Sequence, residues 1–486
     1  MRLLGTKLAS VSSARGLGNF LWDVAGVAPS LDLRFAENKS LVDAVTGQNL
    51  VTFTRASAGT YVGSDGLIKT ATTNLLLRSE EFTSASWILF GSASRSADVA
   101  TAPNGSSTAD SVTLPVGSGI YQGLTGSANT AYTFSIWLRS DTPRTVKVLI
   151  NTNLSDPTAV TANVTTTWQR FSVTKTTAAG TNFLSPQLDT GGGATFYIWG
   201  AQLEQSSTVG DYVKTEATIN SAPRFDHNPT TGESLGLLVE ESRSNLLLNS
   251  ETLATQSVTV SATAYTLSFY GTGTVTLSGV STAGPLVGTG ANARVSLTFT
   301  PTAGSLTLTV SGTVQYANLE AGSFPTSWVP TTASAATRSA DVVDVLDAAI
   351  ANGIRTLYLE FRSPASGTRG VASLNDNTAN ERTSVITSGT DPRLVVVDGG
   401  VEQANIDGGM ITASTRTRVA VRINANDFAI SINGGTPVTD TSGTRPTVDR
   451  LMLGRTQAGE YLNGALARVI GWRELLPDST LQTITT

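Results

Sequence analysis

Apolar and polar residues alternate over short stretches of this chain, and that alternation predicts β-strands. The clearest example is the run YTFSIWLR at 132–139. Successive side chains of a strand point to opposite faces, so one face is predicted to be buried and to carry Tyr132, Phe134, Ile136 and Leu138. The other face then carries Thr133, Ser135, Trp137 and Arg139. The run at 195–203 is apolar on both faces, which predicts a central strand with Trp199 in the core.

Dipeptides typical of tight turns separate many of these runs. They include Asp65-Gly66, Asp398-Gly399, Asp407-Gly408 and Asn433-Gly434. Hairpins at such regular spacing after residue 340 predict a large antiparallel sandwich. Alternation in Leu31, Leu33 and Phe35 predicts an earlier strand with these three side chains on one face. The stretch DVVDVLDAAIANG at 341–353 fits either a short helix or a strand followed by a turn.

Two phrases recur in the same order and indicate a duplicated module. TNLLLRSEEF at 73–82 is echoed by SNLLLNSETL at 244–253, which aligns Asn74 with Asn245. A closing phrase at 201–218 is echoed at 317–334, where Tyr212 aligns with Trp328. Each pair of phrases marks the start and the end of one independently packed sheet unit. The second copy is shorter, so we expect it to lack some strands and to be the poorer candidate for a ligand cleft.

These patterns predict an all-β chain of tandem β-sandwich modules with a C-terminal sandwich. The predicted divisions are a docking segment (1–29), a β-rich N-terminal region (30–72), a jelly-roll module (73–216), a connector (217–243), a shortened second β module (244–332) and a C-terminal domain (333–486). The first segment is equally well interpreted as a frayed terminus or as an arm that orders on a partner.

Composition excludes several kinds of site. The chain has no cysteine, which excludes disulfides and thiolate metal sites, and a single histidine leaves little scope for imidazole chemistry. The net charge of −5 argues against nucleic-acid binding. No apolar run is long enough to predict membrane insertion, and the first 30 residues do not resemble a secretory signal. We therefore predict neither a metal nor a cofactor, and no catalytic residues.

Four residues stand out as candidates for binding. Trp137 and Arg139 share the polar face of a strand, where an indole ring and a guanidinium group suit a sugar; alternatively, a loop or subunit covers Trp137. Phe20 and Trp22 form an apolar cluster in the N-terminal segment and are candidates for docking. Asp226-His227 resembles part of a catalytic dyad, but without a nucleophile nearby we expect a turn capped by Asp226 with His227 on the surface.

Several long phrases resemble virion proteins of tailed bacteriophages. They lie at 31–66, 74–82, 222–251 and 317–332. The first module also resembles jelly-roll carbohydrate-binding modules, in which a structural calcium is held near the first and last strands. Gly200 stands about where an acidic ligand is usual, and Glu81 and Glu204 are only weak substitutes, so we predict no calcium. The C-terminal domain resembles concanavalin/laminin-G-like sandwiches, in which a last strand is followed by a short closing helix.

The resemblance implies a virion component of the fibre, spike or head-fibre type. We expect a homotrimer, made in the bacterial cytoplasm, that docks on other virion proteins and presents its sandwiches to host-surface polysaccharide. The alternative is a capsid or tail decoration protein with a purely architectural role. A glycan-cleaving enzyme is a third class, which generally needs two carboxylates about 5–9.5 Å apart in a groove. The acidic residues here are scattered singly, and we predict no enzyme.

Overall fold

Strands account for most of the regular structure in the computed structural model, which describes residues 20–189, 192–364 and 367–486. Most of the predicted docking segment lies outside these residues. Up to residue 70 the elements are α1 (Phe20–Ala25), β1 (Leu31–Leu33), α2 (Phe35–Asn38), β2 (Val51–Thr54), β3 (Thr60–Val62) and β4 (Ile68–Thr70). Next come β5 (Thr73–Asn74), β6 (Ile88–Phe90), β7 (Ser94–Ala100), β8 (Ala109–Leu114), β9 (Gly119–Tyr121), β10 (Leu124–Thr125), β11 (Ala131–Arg139), β12 (Arg144–Thr152), β13 (Thr158–Val164), β14 (Gln169–Thr176), β15 (Phe183–Asp189), β16 (Ala194–Glu204) and β17 (Asn220–Ser221).

The rest of the chain continues the pattern of short strands. It contains β18 (Phe225–His227), β19 (Ser234–Val239), β20 (Arg243–Asn245), β21 (Gln256–Val260), β22 (Tyr265–Gly271), β23 (Thr274–Gly279), β24 (Leu286–Val287), β25 (Gly290–Phe299), β26 (Gly304–Ser311), β27 (Val314–Ala321), β28 (Ala336–Arg338) and β29 (Val342–Val345). The last part contains α3 (Ala348–Ala351), β30 (Thr356–Arg362), β31 (Thr368–Asn375), β32 (Arg382–Ser388), β33 (Asp391–Asp398), β34 (Val401–Asp407), β35 (Thr417–Asn424), β36 (Asp427–Ile432), β37 (Val438–Asp440), β38 (Arg450–Leu453), β39 (Gly464–Trp472) and α4 (Asp478–Ile484).

The chain divides into two compact units. One comprises residues 55–58 and 70–222. The other comprises, among the described residues, 20–54, 59–69 and those from 223 to 486. The predicted all-β fold with antiparallel sandwiches is confirmed.

The first unit is a two-sheet sandwich. Its six-stranded sheet has the order β13-β12-β15-β9-β6, with β10 on β15, and its five-stranded sheet has the order β14-β11-β16-β8-β7. The predicted inward face of 132–139 is confirmed, since its four apolar side chains are at most 3% exposed. Trp199 is buried, but it lies in a separate cluster with Trp137 on the outer side of the five-stranded sheet and not in the sandwich core, where the sequence predicts it. Alternation along the strand therefore decides which residues form this core.

A buried asparagine connects the opening and closing phrases of this unit. The Asn74 amide nitrogen donates to the carbonyl oxygens of Ala201 and Val213, each at 2.9 Å. Its side-chain oxygen accepts from the backbone N–H groups of Leu76 and Leu203, each at 3.1 Å. An asparagine side chain offers both donors and an acceptor, so one residue satisfies four backbone groups.

The second module repeats this arrangement. Asn245 donates to Ala317 and Val329 at 2.8 and 2.9 Å and accepts from Leu247 and Leu319 at 3.2 and 3.0 Å. Its sheets are smaller, with the orders β21-β26-β23-β24 and β25-β22-β27. By its place in the sheet, β25-β22-β27 corresponds to β14-β11-β16. Within 244–332 no strand corresponds to β7 or β8, in agreement with the expected loss of strands.

The C-terminal sandwich draws strands from distant parts of the chain. Its eight-stranded sheet has the order β18-β19-β39-β30-β35-β36-β37, with β1 on β39, and its seven-stranded sheet has the order β2-β29-β38-β31-β32-β33-β34. The predicted N-terminal region (30–72) and connector (217–243) thus supply strands to this sandwich. Their apolar residues Leu31, Leu33, Val51, Leu237 and Val239 lie in its core.

Three short segments of the C-terminal sandwich show how their predicted elements fold. Leu31 and Leu33 are buried on β1, whereas Phe35 begins α2 and reaches the same core from a helix. The stretch 341–353 forms a strand and then a short helix, whose first turn is capped by the Asp347 carboxylate accepting from Ala349 and Ile350. The last strand, β39, is followed by the short helix α4, as the resemblance implies.

Four buried charged residues join the connector to the C-terminal domain. Arg224 contacts Asp341 at 2.5 Å and Glu240 at 2.7 Å, and Glu240 also contacts Arg338 at 2.9 Å. Burial alone would raise the pKa of Glu240, but the guanidinium groups of Arg338 and Arg224 and hydrogen bonds from Ser327 hold it at about 2. The carboxylate is therefore ionised at neutral pH and fixed by both arginines.

Candidate functional site

Trp137 lies on the outer face of the five-stranded sheet, in an aromatic cluster. The indole is half-buried and packs with Trp168, Trp199 and Tyr212. Directly opposite on the neighbouring strands lie Arg170 and Trp199. The Trp137 indole nitrogen is buried, and no hydrogen-bond partner for it occurs among the described residues.

A loop between β7 and β8 covers this cluster. The Trp168 indole donates to the Thr101 carbonyl at 2.9 Å, and the Trp199 indole donates to the Thr108 hydroxyl at 3.2 Å. Ala102 of the same loop is buried against the rings. This geometry agrees with the alternative in which a loop covers Trp137.

Arg139 is held by its own neighbours. Its guanidinium carbon lies 4.0 Å from the ring centre of Tyr197 and 5.7 Å from that of Trp168. A guanidinium nitrogen also lies 3.8 Å from Asp141. The side chain is 25% exposed, so its edge reaches solvent while its face stacks on Tyr197. Trp137 and Arg139 thus lie side by side on one face of the strand, as the alternation predicts. The loop covers the Trp137 ring and the Arg139 guanidinium stacks on Tyr197, so neither side chain presents an open face to a ligand.

The two N-terminal candidates differ in exposure. Phe20 is 64% exposed. Trp22 is half-buried, donates from its indole nitrogen to Asp32 at 3.0 Å, and has the Arg34 guanidinium 5.4 Å from its ring centre. Apolar residues of α1 pack beside α4 against the cluster that contains Trp472. Trp22 therefore anchors α1 to the C-terminal sandwich, and Phe20 projects from it.

The expectation of a turn at Asp226-His227 is wrong. Both residues lie in β18, which pairs with β19, and His227 is only 5% exposed. Asp226 accepts a 2.7 Å hydrogen bond from the Val62 amide, and the His227 ring nitrogen Nδ1 lies 3.1 Å from the Val62 carbonyl. The pairing partner β19 gives these polar residues a strand conformation that their local composition does not predict.

A different face of the first unit exposes aromatic and amide side chains together. On the outer side of the six-stranded sheet lie Phe90, Tyr121, Phe183, Asn151 and Gln187, which we term the aromatic face. Tyr121 stands opposite Gln187 on one side and opposite Ile88 on the other. Asn151 stands opposite Ser185 on the next pair of strands. Opposite residues in antiparallel strands are close neighbours, so these side chains form one continuous surface.

Two glycines make room for the rings of the aromatic face. A Cβ at Gly119 would lie 2.4 Å from the Phe90 ring, and one at Gly123 would lie 2.8 Å from the Phe183 ring. The rings of Phe90 and Tyr121 have centres 6.2 Å apart and are tilted by 55°. Phe183 is 39% exposed, and the Tyr121 hydroxyl makes no hydrogen bond to any described residue. The face therefore offers ring surface and polar groups to an outside ligand.

The aromatic face is not predicted from the sequence, because two of its four strands are very short. β9 has three residues and β6 has three, which is too few for a visible alternation. The signal that could have identified the face is the pair of glycines flanking Ile120, Tyr121 and Gln122, because glycine in a strand often marks a close approach by another group.

No group of three or more acidic or histidine side chains within residues 20–189, 192–364 and 367–486 could hold a metal ion. Of the calcium candidates, Glu204 accepts from Gly210 and Gln202, and Glu81 pairs with Arg78. No helix within 20–189, 192–364 and 367–486 is long and apolar enough to cross a membrane.

Comparison with known proteins gives matches among solved structures. No family model matches the chain, and no curated protein matches it. One similar structure is a CBM4 carbohydrate-binding module, at 20% identity, covering 25% of this chain and 86% of the module with a TM-score of 0.20. A second is the CBM22 xylan-binding domain from Paenibacillus barcinonensis, at 15% identity, covering 29% of this chain and 98% of the domain with a TM-score of 0.24.

A third similar structure comes from a phage. It is the enzymatically active domain of bacteriophage CBA120 tailspike protein 4, at 12% identity, covering 27% of this chain and 21% of that one with a TM-score of 0.22.

Proposed function

We propose that this protein is a structural component of a bacteriophage virion that adheres to host-surface glycans. In this proposal it is a fibre- or spike-type appendage, made in the host cytoplasm, which docks on other virion proteins by its N-terminal part. It acts as a homotrimer and binds without catalysis. The resemblance of several phrases to virion proteins supports the setting, and the aromatic face supports glycan binding.

The aromatic face carries the adhesion proposal. Sugar rings present apolar C–H surface that packs on aromatic rings, and Phe183 and Tyr121 are accessible for such contact. Gln187 and Asn151 are half-buried and bring amide groups that both donate to and accept from hydroxyls. The face is shallow, which suits weak binding to a polymer. Three copies on one appendage would then strengthen attachment through avidity.

The N-terminal region supports the docking part of the proposal. Trp22 fixes α1 to the C-terminal sandwich, so that Phe20 is presented from a defined position. An exposed aromatic ring is a common anchor in protein interfaces. Phe20 is therefore the described residue of the N-terminal segment best placed to contact another virion protein.

The architectural alternative also has a supporting observation. Ile88 stands opposite Tyr121 on the six-stranded sheet and is 44% exposed. Exposed aliphatic side chains beside aromatic rings also suit contact with a neighbouring protein. In that case the aromatic face would bind a capsid or tail subunit and would recognise no cell.

A binding experiment separates the two functions. The full chain would be applied to an array of host capsular and lipopolysaccharide glycans, alongside the Tyr121→Ala, Phe183→Ala and Phe20→Ala variants. We expect the first two substitutions to weaken binding roughly tenfold, equivalent to about 1.4 kcal/mol, and Phe20→Ala to leave it unchanged. Equal binding by all four proteins, or no binding by any, would refute adhesion through the aromatic face.

The location of the protein tests the virion setting. Cryo-electron microscopy of purified particles is expected to show trimers of this chain attached at their N-terminal ends, and Phe20→Ala is expected to reduce their occupancy. Particles that lack the protein would contradict the proposal. Release of reducing ends from the bound glycan would contradict the absence of catalysis.

A further inference from the structure

The duplicated modules carry matching residues on corresponding faces. In the first module Arg170 donates to the Ser135 hydroxyl at 3.0 Å, and in the second Arg294 donates to the Ser268 hydroxyl at 2.7 Å. The position of Trp137, two residues after Ser135, is occupied by Tyr270 in the second module. The first module therefore serves as an internal reference for the second.

The two faces are closed in different ways. Trp137 is covered by the β7–β8 loop, and the second module has no such strands or loop. Its face instead borders a cavity of about 490 Å³. This volume lies within the range of about 300–1,000 Å³ that is typical of small-molecule sites. The expectation that the shorter copy is the poorer candidate for a ligand cleft therefore does not match the geometry.

The cavity brings together residues from four parts of the unit. Tyr270 and Arg294 come from the second module, Trp328 from its closing phrase, Tyr61 from β3 and Asp226 from β18. The aromatic side chains supply ring surface, while the carboxylate and guanidinium groups supply acceptors and donors. Such a combination of apolar wall and few polar groups is the usual composition of a ligand pocket.

Several polar groups of the cavity have spare bonding capacity. Asp226 accepts from the Val62 amide, but no cationic side chain among the described residues lies within ion-pair distance of it. Arg294 likewise has no carboxylate partner in the described part of the chain. Its counterpart Arg170 donates in addition to the Gly210 carbonyl at 2.8 Å. The Tyr270 hydroxyl makes no hydrogen bond to a described residue, although the side chain is only 9% exposed.

An unpaired carboxylate in a partly buried cavity is costly unless something bonds to it. Burial raises the pKa of Asp226 to about 6, the charge of Glu240 adds to the rise, and the Val62 amide and Arg224 oppose it. Burial also raises the pKa of Tyr270, and Asp226 contributes to that rise. The hydroxyl of Tyr270 is therefore a neutral donor near the carboxylate. Perturbed carboxyl groups in clefts are frequent at functional sites.

We propose that this cavity binds the terminal ring of a neutral sugar, end-on. Asp226 would accept hydrogen bonds from two neighbouring hydroxyls, Tyr270 and Arg294 would donate to the ring oxygen and to a further hydroxyl oxygen, and Trp328 or Tyr61 would contact the C–H face. An acidic sugar is disfavoured because its carboxylate would face that of Asp226. This site is separate from the aromatic face, so the proposal goes beyond the adhesion function and does not depend on it.

The test uses the full chain and defined sugars. Saturation-transfer NMR would be recorded with glucose, galactose, mannose, N-acetylglucosamine and rhamnose, and with glucuronic and galacturonic acids. We expect at least one neutral sugar to bind and both acids to bind at least tenfold more weakly at pH 7.5. Binding is expected to weaken below pH 6 as Asp226 becomes protonated. The other titratable or charged groups around it are Tyr61, Glu240, Tyr270, His227, Arg224, Arg294 and Arg362. The lowered pKa of Glu240 and the raised pKa of Tyr270 keep each of these two groups in one charge state between pH 5 and 7.5.

Variants assign the binding to the cavity. Tyr270→Phe and Asp226→Asn each remove one bonding function while keeping the shape, and each is expected to weaken binding at least fivefold. Ser296 lies in the cavity, and Ser172 is its counterpart in the first module. Ser172→Ala is the control for Ser296→Ala and is expected to have no effect on binding. Unchanged binding in both Tyr270→Phe and Asp226→Asn would overturn the proposal, as would tighter binding of the acids. Loss of binding with Tyr121→Ala would also overturn it, because the sugar would then lie on the aromatic face.

Discussion

Replacing either repeated asparagine with alanine is expected to destabilise the module that contains it. Asn74 and Asn245 are both fully buried, and each makes four hydrogen bonds to backbone groups of its own module. Alanine removes every one of these bonds and leaves two carbonyls and two N–H groups without partners. The two substitutions are therefore equivalent perturbations in two different modules.

The size of the effect follows from those four groups. An unpaired buried backbone group costs about 1–3 kcal/mol. Because neighbouring groups relax together, we expect a total near 4 kcal/mol, at the low end of the simple sum of about 4–12 kcal/mol. For a unit of roughly 150–250 residues, such as the one that contains Asn74, 1 kcal/mol shifts Tm by about 2–4 °C, so Asn74→Ala is expected to lower the Tm of that unit by about 8–16 °C. The unit that contains Asn245 is larger, so the same loss of free energy is expected to shift its Tm by less. Aspartate keeps the acceptor but loses the donors, so Asn74→Asp is expected to be at least as harmful.

Scanning calorimetry combined with limited proteolysis measures this prediction. Asn74→Ala is expected to lower the transition of the unit containing residues 70–222, and Asn245→Ala the transition of the other unit. Asn163→Ala, at an exposed position on β13, is the matched control and is expected to have no effect. If both buried variants melt within about 1 °C of the unaltered protein, the asparagines do not hold the modules together.

Three further predictions concern charge and backbone conformation. Glu240→Gln is expected to lower the free energy of unfolding in urea by about 3 kcal/mol, because it leaves two buried guanidinium groups short of charge compensation. The pKa of Glu240 is lowered from 4.5 to about 2. The contribution of its carboxylate to stability is therefore present above pH 4.5 and is lost as the pH falls towards 2. Asp226→Asn is expected to stabilise the protein by about 3 kcal/mol at pH 8. The pKa of Asp226 is raised from 3.8 to about 6, so this carboxyl group lowers stability as the pH rises through that range, and the loss is complete above pH 6. Equal stability of the two proteins at pH 8 would contradict this. Gly200→Ala is expected to lower the free energy of thermal unfolding by about 1–3 kcal/mol, because Gly200 has φ of +63° and a Cβ there would lie 3.0 Å from the Trp137 ring. Gly180 also has positive φ but lies in open space, so Gly180→Ala measures the backbone part of this loss without the ring contact.

The sequence predicts those parts of the fold that depend on local pattern or on repetition. The alternation at 132–139 correctly assigns the inward side chains, and the two asparagines correctly mark corresponding positions in the two modules. The Asp65-Gly66 turn is also found, between β3 and β4. Each of these features is determined by residues close in the chain or by a phrase that recurs.

The features that the sequence does not predict depend on distant partners. Asp226 and His227 look like a turn until β19 pairs with them, and the connector looks separate until β19 pairs with β39. The aromatic face combines β6, β9, β12 and β15, each of which contributes only one or two of its side chains. The cavity at Asp226 forms because residues from separate parts of the chain enclose a space. The order of apolar and polar residues within one segment carries no information about which distant segments will enclose a cavity.

The placement of β39 has a consequence for synthesis of the protein. β39 pairs with β1, β19 and β30, and it joins Leu31 to Gly471. At about 5–20 residues per second, a ribosome needs roughly 20–90 s to translate the chain between these two residues. During this time β1 has no partner strand, whereas the unit containing residues 70–222 is complete and free to fold. A chain that ends early would therefore carry a finished first sandwich beside an unpaired apolar segment, a natural target for chaperones and proteases.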